Sequence, residues 1–449
     1  MTGLFNNPSV FTNFLSLIFP IVLAGFWAPC NNKWIKRLSL IGVYLMIVTV
    51  FLGNERAAFL AFGAGLLLVL NKKYVLAKSL NNFLKTNNVK YYILCLLVVV
   101  IAGGSYFLYS IRPQSFFGRL FIYENTLRII GDHPFLGIGP GKFESIYNLY
   151  QSRYFNIHQV SAYGNQVADN TDVAFNDFLQ LFCETGLIGF ICVVTSAVVL
   201  VKIYRNSNFE KNSLHMVGII SGVLSILIAS LFSYPLQNFI ILLYLVILIS
   251  LLSKAIAPWK VFRPITLNRN VYAFFGFLWA GTLISILFSL SKNQLKWEAN
   301  VYDNLEPEAS LQQYSELYPV LKNNGYFLYN YGSEMAFNKH YGNGRYILSQ
   351  AKKYFVDSDI LIYSGDCFLG LKDYKHAEEE YLTAYYMVPK KLLPQYALMQ
   401  YYQEIKDYNK ANIFAEKIIK STPVSYSEDE LAIKQQAVQL LTKNCNYYD

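Results

Sequence analysis

The chain is short of charge. Only 15% of its 449 residues are Asp, Glu, Lys or Arg, where a soluble chain has about a quarter. The shortage lies almost wholly before residue 290. That excludes a single water-soluble globule and divides the chain into an apolar part and a more polar tail. Metal-binding spacing is missing as well. The six cysteines (Cys30, Cys95, Cys183, Cys192, Cys367, Cys445) form no CxxC pair and have no histidine cluster nearby, which argues against zinc. A Cys367–Cys445 disulfide is the one pairing left to consider in the tail. No carboxylate pair stands at ligand spacing, so neither a metal nor a cofactor is expected. The run Gly137-Ile138-Gly139-Pro140-Gly141 is no nucleotide loop, because the Lys-Ser/Thr pair and its spacing are absent. The first apolar stretch lacks a basic flank and a small-x-small cleavage site, so it does not read as a cleavable signal peptide.

What is present is a series of apolar runs. A helix needs about 20 apolar residues to cross the hydrocarbon. Candidate spans are 10–28, 38–52, 57–70, 91–109, 181–201, 214–232, 239–252 and 271–290; the short ones require tilt or local adjustment. Gly53-Asn54-Glu55-Arg56 and Ser233-Tyr234-Pro235-Leu236-Gln237-Asn238 read as tight hairpins, because joining their flanking runs would overshoot the bilayer. The net charge of +9 is not a nucleic-acid footprint. Fifteen lysines and arginines, against the single acid Glu210, fall in alternate loops (29–37, 71–90, 202–213 and 253–270). Such loops face the cytoplasm. The other connections, and with an even number of spans both termini, are then extracytoplasmic.

The expected fold class is all-α: a polytopic membrane helical bundle of about eight spans, with a long extracytoplasmic loop and a C-terminal helical-repeat domain. The divisions are 1–110 (spans one to four), 111–180 (the loop), 181–290 (spans five to eight) and 291–449 (the tail). In the tail, Gly365, Phe368, Tyr374, Ala377, Tyr381, Ala384 and Pro389 fall at the spacing of a tetratricopeptide unit of about 34 residues. Tyr408, Ala411 and Pro423 repeat part of that pattern. Gly332, Gly344 and Ala351 form an earlier copy one residue out of step. Stacked helix pairs of this kind offer a concave face to a partner.

Polar residues concentrate between Gly118 and Gly189. Three arginines lie there (Arg119, Arg128, Arg153), with His133, His158, Glu124, Asp132, Glu144, Asp169, Asp172 and Asp177. Guanidinium matches phosphate oxygens and stays charged. Arg119 and Arg128 on a helix over 115–130, with Arg56 at the outer end of a span, would suit a pyrophosphate. Each alone also reads as a solvated or snorkelling arginine. Gly139 and Gly141 permit close backbone approach to a ligand, or simply a turn. His133 is either a base or an interface histidine. Asn176 and Asp177 open the next span, where Asp177 serves as a cap or as a catalytic carboxylate.

Three stretches together resemble the bacterial O-antigen ligase and polymerase family: NERAAFLAFGAGLLL, GRLFIYENTLRIIGDHPFLGIGPGKF, and AFNDFLQLFCETGLIG leading into a span. The tail, with LKNNGYFLYNYGSEM before it, resembles the Bacteroidetes-type branch. The resemblance implies an inner-membrane glycan transferase. Its donor would be an undecaprenyl-diphosphate-linked glycan, and its acceptor a lipid, glycan or protein on the periplasmic side. It implies Arg56, Arg119, Asp177 and His133 as catalytic, and Arg128, Gly139, Gly141, Asn176 and Asp172 as substrate-binding. Two departures stand out. The ligases' histidine, followed by Asn or Ser, nine residues and Gly-x-x-Gly, is Phe175 here, with Asn176, Gly186 and Gly189 in register. The opening TGLFNNPSVFTNFL looks like the middle of a family member, so further spans are expected upstream. The other function classes are a non-catalytic scaffold that binds a protein partner through its repeats, and a polysaccharide transporter or flippase. Few charges lie inside the spans, which weighs against transport.

Overall fold

The computed structural model describes residues 5, 7–29, 32–74, 113–158, 167–206, 213–256, 269–302, 306–421 and 428–445. The expected span 91–109 lies outside them, as does Cys95. Among the described residues there are seventeen α-helices and no strand. The all-α expectation holds, and several of the helices are apolar enough for a polytopic membrane bundle.

The chain divides into two compact units, Met1–Gly137 with Val173–Phe262, and Ile138–Asp172 with Arg263–Asp449. Two of the three unit boundaries fall within residues 111–180.

The first unit contains α1 (Pro8–Trp27), α2 (Lys33–Gly53), α3 (Arg56–Tyr74), α4 (Pro113–Asp132), a later helix Asp177–Asn206, and two shorter apolar helices, Leu214–Ser230 and Phe239–Ile256. Among the described residues, four helices are long and apolar enough to cross a membrane: Pro8–Trp27, Lys33–Gly53, Arg56–Tyr74 and Asp177–Val199. Both expected hairpins are present. Asn54, at φ +48°, turns α2 into α3. A 3-10 turn at Pro235–Gln237 follows Leu214–Ser230.

In lipid no hydrophobic force drives helices together, so close packing of small residues and interhelical hydrogen bonds must do it. Helix α1, α3 and Leu214–Ser230 pack on one another in this way. A β-carbon on Gly222 would stand 2.5 Å from the Leu17 carbonyl oxygen. One on Gly65 would stand 2.4 Å from Ser225 Oγ. Ser16 Oγ donates to the Ala58 carbonyl of α3 at 3.2 Å, and buried Asn13 donates to Ser233 Oγ at 3.2 Å. Apolar side chains such as Leu38, Ile41, Leu45, Ile191 and Val198 point outward and are exposed, as lipid-facing residues would be.

The second unit takes in α5 (Phe143–Ile157) and the tail. Its helices come in pairs, Gly325–Phe337 with Tyr341–Ala351, Ser358–Gly370 with Tyr374–Met387, and Leu392–Glu404 with Tyr408–Lys420. Each pair turns through a lysine in the left-handed region, Lys339 at φ +65°, Lys372 at +62° and Lys406 at +63°. The repetition thus extends to the backbone torsions. Small residues mark the close crossings: a β-carbon on Gly365 would meet the Tyr381 ring at 2.5 Å. Cys367 is a free buried thiol, so the Cys367–Cys445 bridge is not formed.

Helix α5 packs against Tyr374–Met387, and its buried face combines the aromatic rings of Phe143, Tyr147 and Phe155 with uncharged polar side chains. Asn148 donates to the Val356 carbonyl at 2.8 Å. Gln151 donates to Met387 at 2.7 Å and to Asp169 at 3.0 Å. Ser152 donates to Thr383 at 2.9 Å. Tyr326 OH donates to Glu144 Oε1 at 2.7 Å. The tail thus receives a segment of its own chain.

Gly222→Ala should destabilise the detergent-solubilised protein by about 1–3 kcal/mol, because two helix backbones must separate. Gly63→Ala, whose new methyl meets nothing within 4 Å, should be neutral in the same thermal unfolding measurement. Gln151→Leu strips two carbonyls of a donor, the buried one of Met387 and that of Asp169, and should cost about 1–3 kcal/mol, read as faster hydrogen exchange across α5.

Candidate functional site

The backbone of the site is set where two of the quoted stretches meet. The helix Asp177–Asn206 is broken at Gly186, which has φ +65° and ψ −169°. A break frees backbone N–H groups, and these need partners at a membrane boundary. Pro134–Gly137 supplies them: Leu187 N–H donates to the Pro134 carbonyl at 2.9 Å, and Ile188 N–H to Phe135 at 3.2 Å. The approach is close enough to demand glycine on both sides. A β-carbon on Gly186 would lie 2.3 Å from the Phe135 oxygen, and one on Gly137 would lie 2.5 Å from the Glu184 backbone. Gly137 also sits at φ +65°. These two glycines join loop to span; of the pair, neither was among the expected substrate-binding residues.

Arg119 leaves the first half of α4 half-buried. Its guanidinium donates to the Phe232 carbonyl at 2.7 Å and lies over the Phe175 ring, with Cζ 5.2 Å from the centroid. It has no ion-pair partner among the described residues. Phe175 in turn packs edge-on against Tyr234 at 5.4 Å, and its carbonyl accepts from Tyr123 OH at 3.3 Å. Burial pushes the Tyr123 phenol up, and the Arg119 charge partly offsets this. Tyr234 OH accepts from Asn7 at 2.8 Å.

Arg56 opens α3 and is half-buried. Two residues on, the Ala58 carbonyl takes the Ser16 bond; one turn back along α1, Asn13 reaches Ser233, next to the Phe232 carbonyl that holds Arg119. This run of contacts puts Arg56 and Arg119 at the same end of the unit.

The other expected residues are placed as follows. Asn176, not Asp177, is the helix cap: its Oδ1 accepts from the Phe178 and Leu179 N–H groups at 3.1 and 3.0 Å, the bonds a cap side chain makes. Asp177 is buried, and its Oδ2 accepts from Leu236 N–H at 2.9 Å, tying the span to the Pro235 turn. Arg128 is exposed and pairs with Glu124 at 2.8 Å, one helical turn away. His133 is exposed just beyond α4. Gly139 (φ +105°), Gly141 (φ +70°) and Asp172 belong to the second unit. Phe232, Tyr234 and Tyr123 were not anticipated. A backbone carbonyl 113 residues from Arg119 leaves no mark in composition.

In the second unit Glu144, Asp357 and Asp366 are half-buried and Asp172 is exposed, and Glu144 lies within the field of both Asp172 and Asp357. Desolvation raises Glu144, opposed by the Tyr326 bond and reinforced by Asp172 and Asp357. Desolvation likewise raises Asp357 and Asp366, the latter offset in part by the Tyr381 hydroxyl. Desolvation and Asp169 raise Asp172. Among the described residues no group of these carboxylates is arranged to hold a metal.

A carboxyl with a raised folded pKa holds its proton more tightly folded than unfolded. The unit should therefore lose stability as pH rises from the ordinary carboxylate value near 4 through the raised values. Native-state hydrogen exchange of Tyr374–Met387 should show weaker protection at pH 7 than at pH 5, after correction for intrinsic rates. Asp366→Asn, which keeps an acceptor for Tyr381, should flatten that difference.

With this geometry in place, comparison with known proteins adds one family. The family model described as O-antigen ligase matches residues 41–194. That interval takes in Arg56, Arg119, the Pro134–Gly137 segment, Phe175 and the Gly186 break. A search of curated proteins finds no match. Residues 41–194 are thus similar to the O-antigen ligase family over about a third of the chain, a likeness that supports a membrane glycosyltransferase of that general type.

Proposed function

We propose that the protein transfers a glycan from an undecaprenyl-diphosphate carrier to a lipid, glycan or protein acceptor on the periplasmic side of the bacterial inner membrane. The observation that carries this reading is Arg119, a half-buried guanidinium fixed by the Phe232 carbonyl and the Phe175 ring, with no ion-pair partner among the described residues and at the same end as Arg56. A fixed cation of this kind suits an anionic ligand. The alternation of basic loops supports placing that end outside. The helix pairs and the recurring left-handed lysines support a tetratricopeptide-type tail, on the same side, that meets an acceptor or a protein partner.

In the reaction, an acceptor hydroxyl attacks the anomeric carbon and forms the new C–O bond. The bond from that carbon to the diphosphate oxygen breaks, and its electron pair leaves on the diphosphate. Arg56 and Arg119 stabilise the charge as it develops, the kind of electrostatic assistance that commonly dominates such catalysis. Metal is not needed for that role. Phe175 cannot accept a proton, so the acceptor's proton passes to Asp177, two residues on and buried in the same unit, with His133 the alternative. Asn176 acts on the substrate only indirectly, by capping the helix that carries Asp177. Arg128, paired with Glu124, adds little to the charge that Arg56 and Arg119 supply, and Gly139, Gly141 and Asp172 shape their own loop in the second unit.

Arg119→Ala and Arg56→Ala should each lower glycan transfer by roughly a hundredfold or more, with the lipid-linked donor accumulating on the outer leaflet. Arg128→Ala, already neutralised by Glu124, should stay within about threefold of wild type. Unchanged surface glycan in the Arg56→Ala/Arg119→Ala double variant would favour the scaffold reading, which draws its support from the missing histidine.

A further inference from the structure

Phe175 occupies a costly backbone conformation. Its φ of +52° lies in the left-handed region, which is unfavourable for a bulky side chain and for which glycine or asparagine is the usual choice. Strain of this kind persists only where the surroundings over-determine it. They do so here on three sides. Tyr123 OH binds the Phe175 carbonyl at 3.3 Å. Tyr234 packs edge-on against the ring, at 5.4 Å and an interplanar angle of 86°. Asn176, the next residue, caps the following helix. The outcome is an aromatic face turned to the Arg119 guanidinium, 5.2 Å from Cζ to centroid.

We propose that Phe175 is a positioning residue: its ring is the platform that holds the Arg119 guanidinium for a diphosphate, at the position where the ligase pattern has a histidine. The inference rests on the diphosphate reading above and deepens it. A ring face attracts a cation through its quadrupole without cancelling its charge. A carboxylate would orient Arg119 as well but would neutralise it. A histidine would compete with the guanidinium whenever it took up a proton. Phenylalanine leaves the full positive charge for the ligand, and the Phe232 carbonyl fixes the rotation of the guanidinium plane. The site has exchanged a proton acceptor for an aromatic support.

The test uses the full chain in lipid nanodiscs and inorganic pyrophosphate as the probe, in metal-free buffer, with affinity measured by titration calorimetry. Phe175 is replaced by mono-, di- and trifluorophenylalanine, which keep the ring's shape while draining its face of electron density. Affinity should fall stepwise with fluorine number, to a total loss of about three- to tenfold. Phe175→Tyr should bind within about twofold of wild type. Phe175→Gly, which relieves the left-handed backbone, should melt no lower than Phe175→Leu and still lose about three- to thirtyfold in affinity. In an Arg119→Ala background the fluorinated series should be flat. Affinity independent of fluorination, with Arg119→Ala still impaired, overturns the platform and leaves the diphosphate reading standing. A slope that persists in Arg119→Ala also overturns it. If wild type binds no pyrophosphate, or Arg119→Ala binds it equally well, both the reading and the inference fall.

Discussion

The site depends on how a broken membrane helix satisfies its backbone. At Gly186 the helix loses its regular ladder, and a buried N–H at a lipid boundary cannot be left to water. The carbonyls of Pro134 and Phe135 take the Leu187 and Ile188 amides instead. That single exchange fixes the entry of the 177–206 helix relative to the end of α4. Asn176 and Asp177 then secure the same corner, one to its own helix and one to the Pro235 turn. Arg119, through the Phe232 carbonyl, and Asp177, through Leu236, are both attached to this corner or to the turn it grips.

Small residues and polar side chains work together in that unit. Gly65, Gly218 and Gly222 allow α1, α3 and the helix Leu214–Ser230 to approach closely. Ser16 and Asn13 then make hydrogen bonds across the contacts. With the helices held this way, the loop at Ser233 is stationary enough for its neighbour's carbonyl to orient an arginine. The electrostatics of Arg119 therefore rest on glycines several turns away.

Much of this was readable from residue order. The apolar runs marked the helices, and Gly53-Asn54-Glu55-Arg56 marked a hairpin because no continuous helix fits the bilayer at that length. Arg119 is legible as one of three arginines in the polar stretch 118–189, and Gly186 as part of a motif. What approaches those residues was not readable. A glycine announces that something comes near, not that it is the Phe135 carbonyl. The partner of Arg119 is a main-chain oxygen, which any residue could have supplied. The capture of α5 had a faint signal: Asn148, Gln151 and Ser152 share one helical face and carry no charge, which suits buried hydrogen bonding better than solvent. In a stretch rich in charged residues that signal is faint beside the charges around it.

The seating of α5 on the tail has a consequence for how such proteins can be recombined. The carbonyls of Val356, Thr383 and Met387 are answered by side chains from a segment more than two hundred residues upstream. A tail moved alone onto another membrane region would arrive with those acceptors bare and an apolar face around Tyr374–Met387 uncovered. The transplantable part is therefore discontinuous, the tail plus residues 138–172, and any natural or designed chimera must inherit the two pieces as a pair.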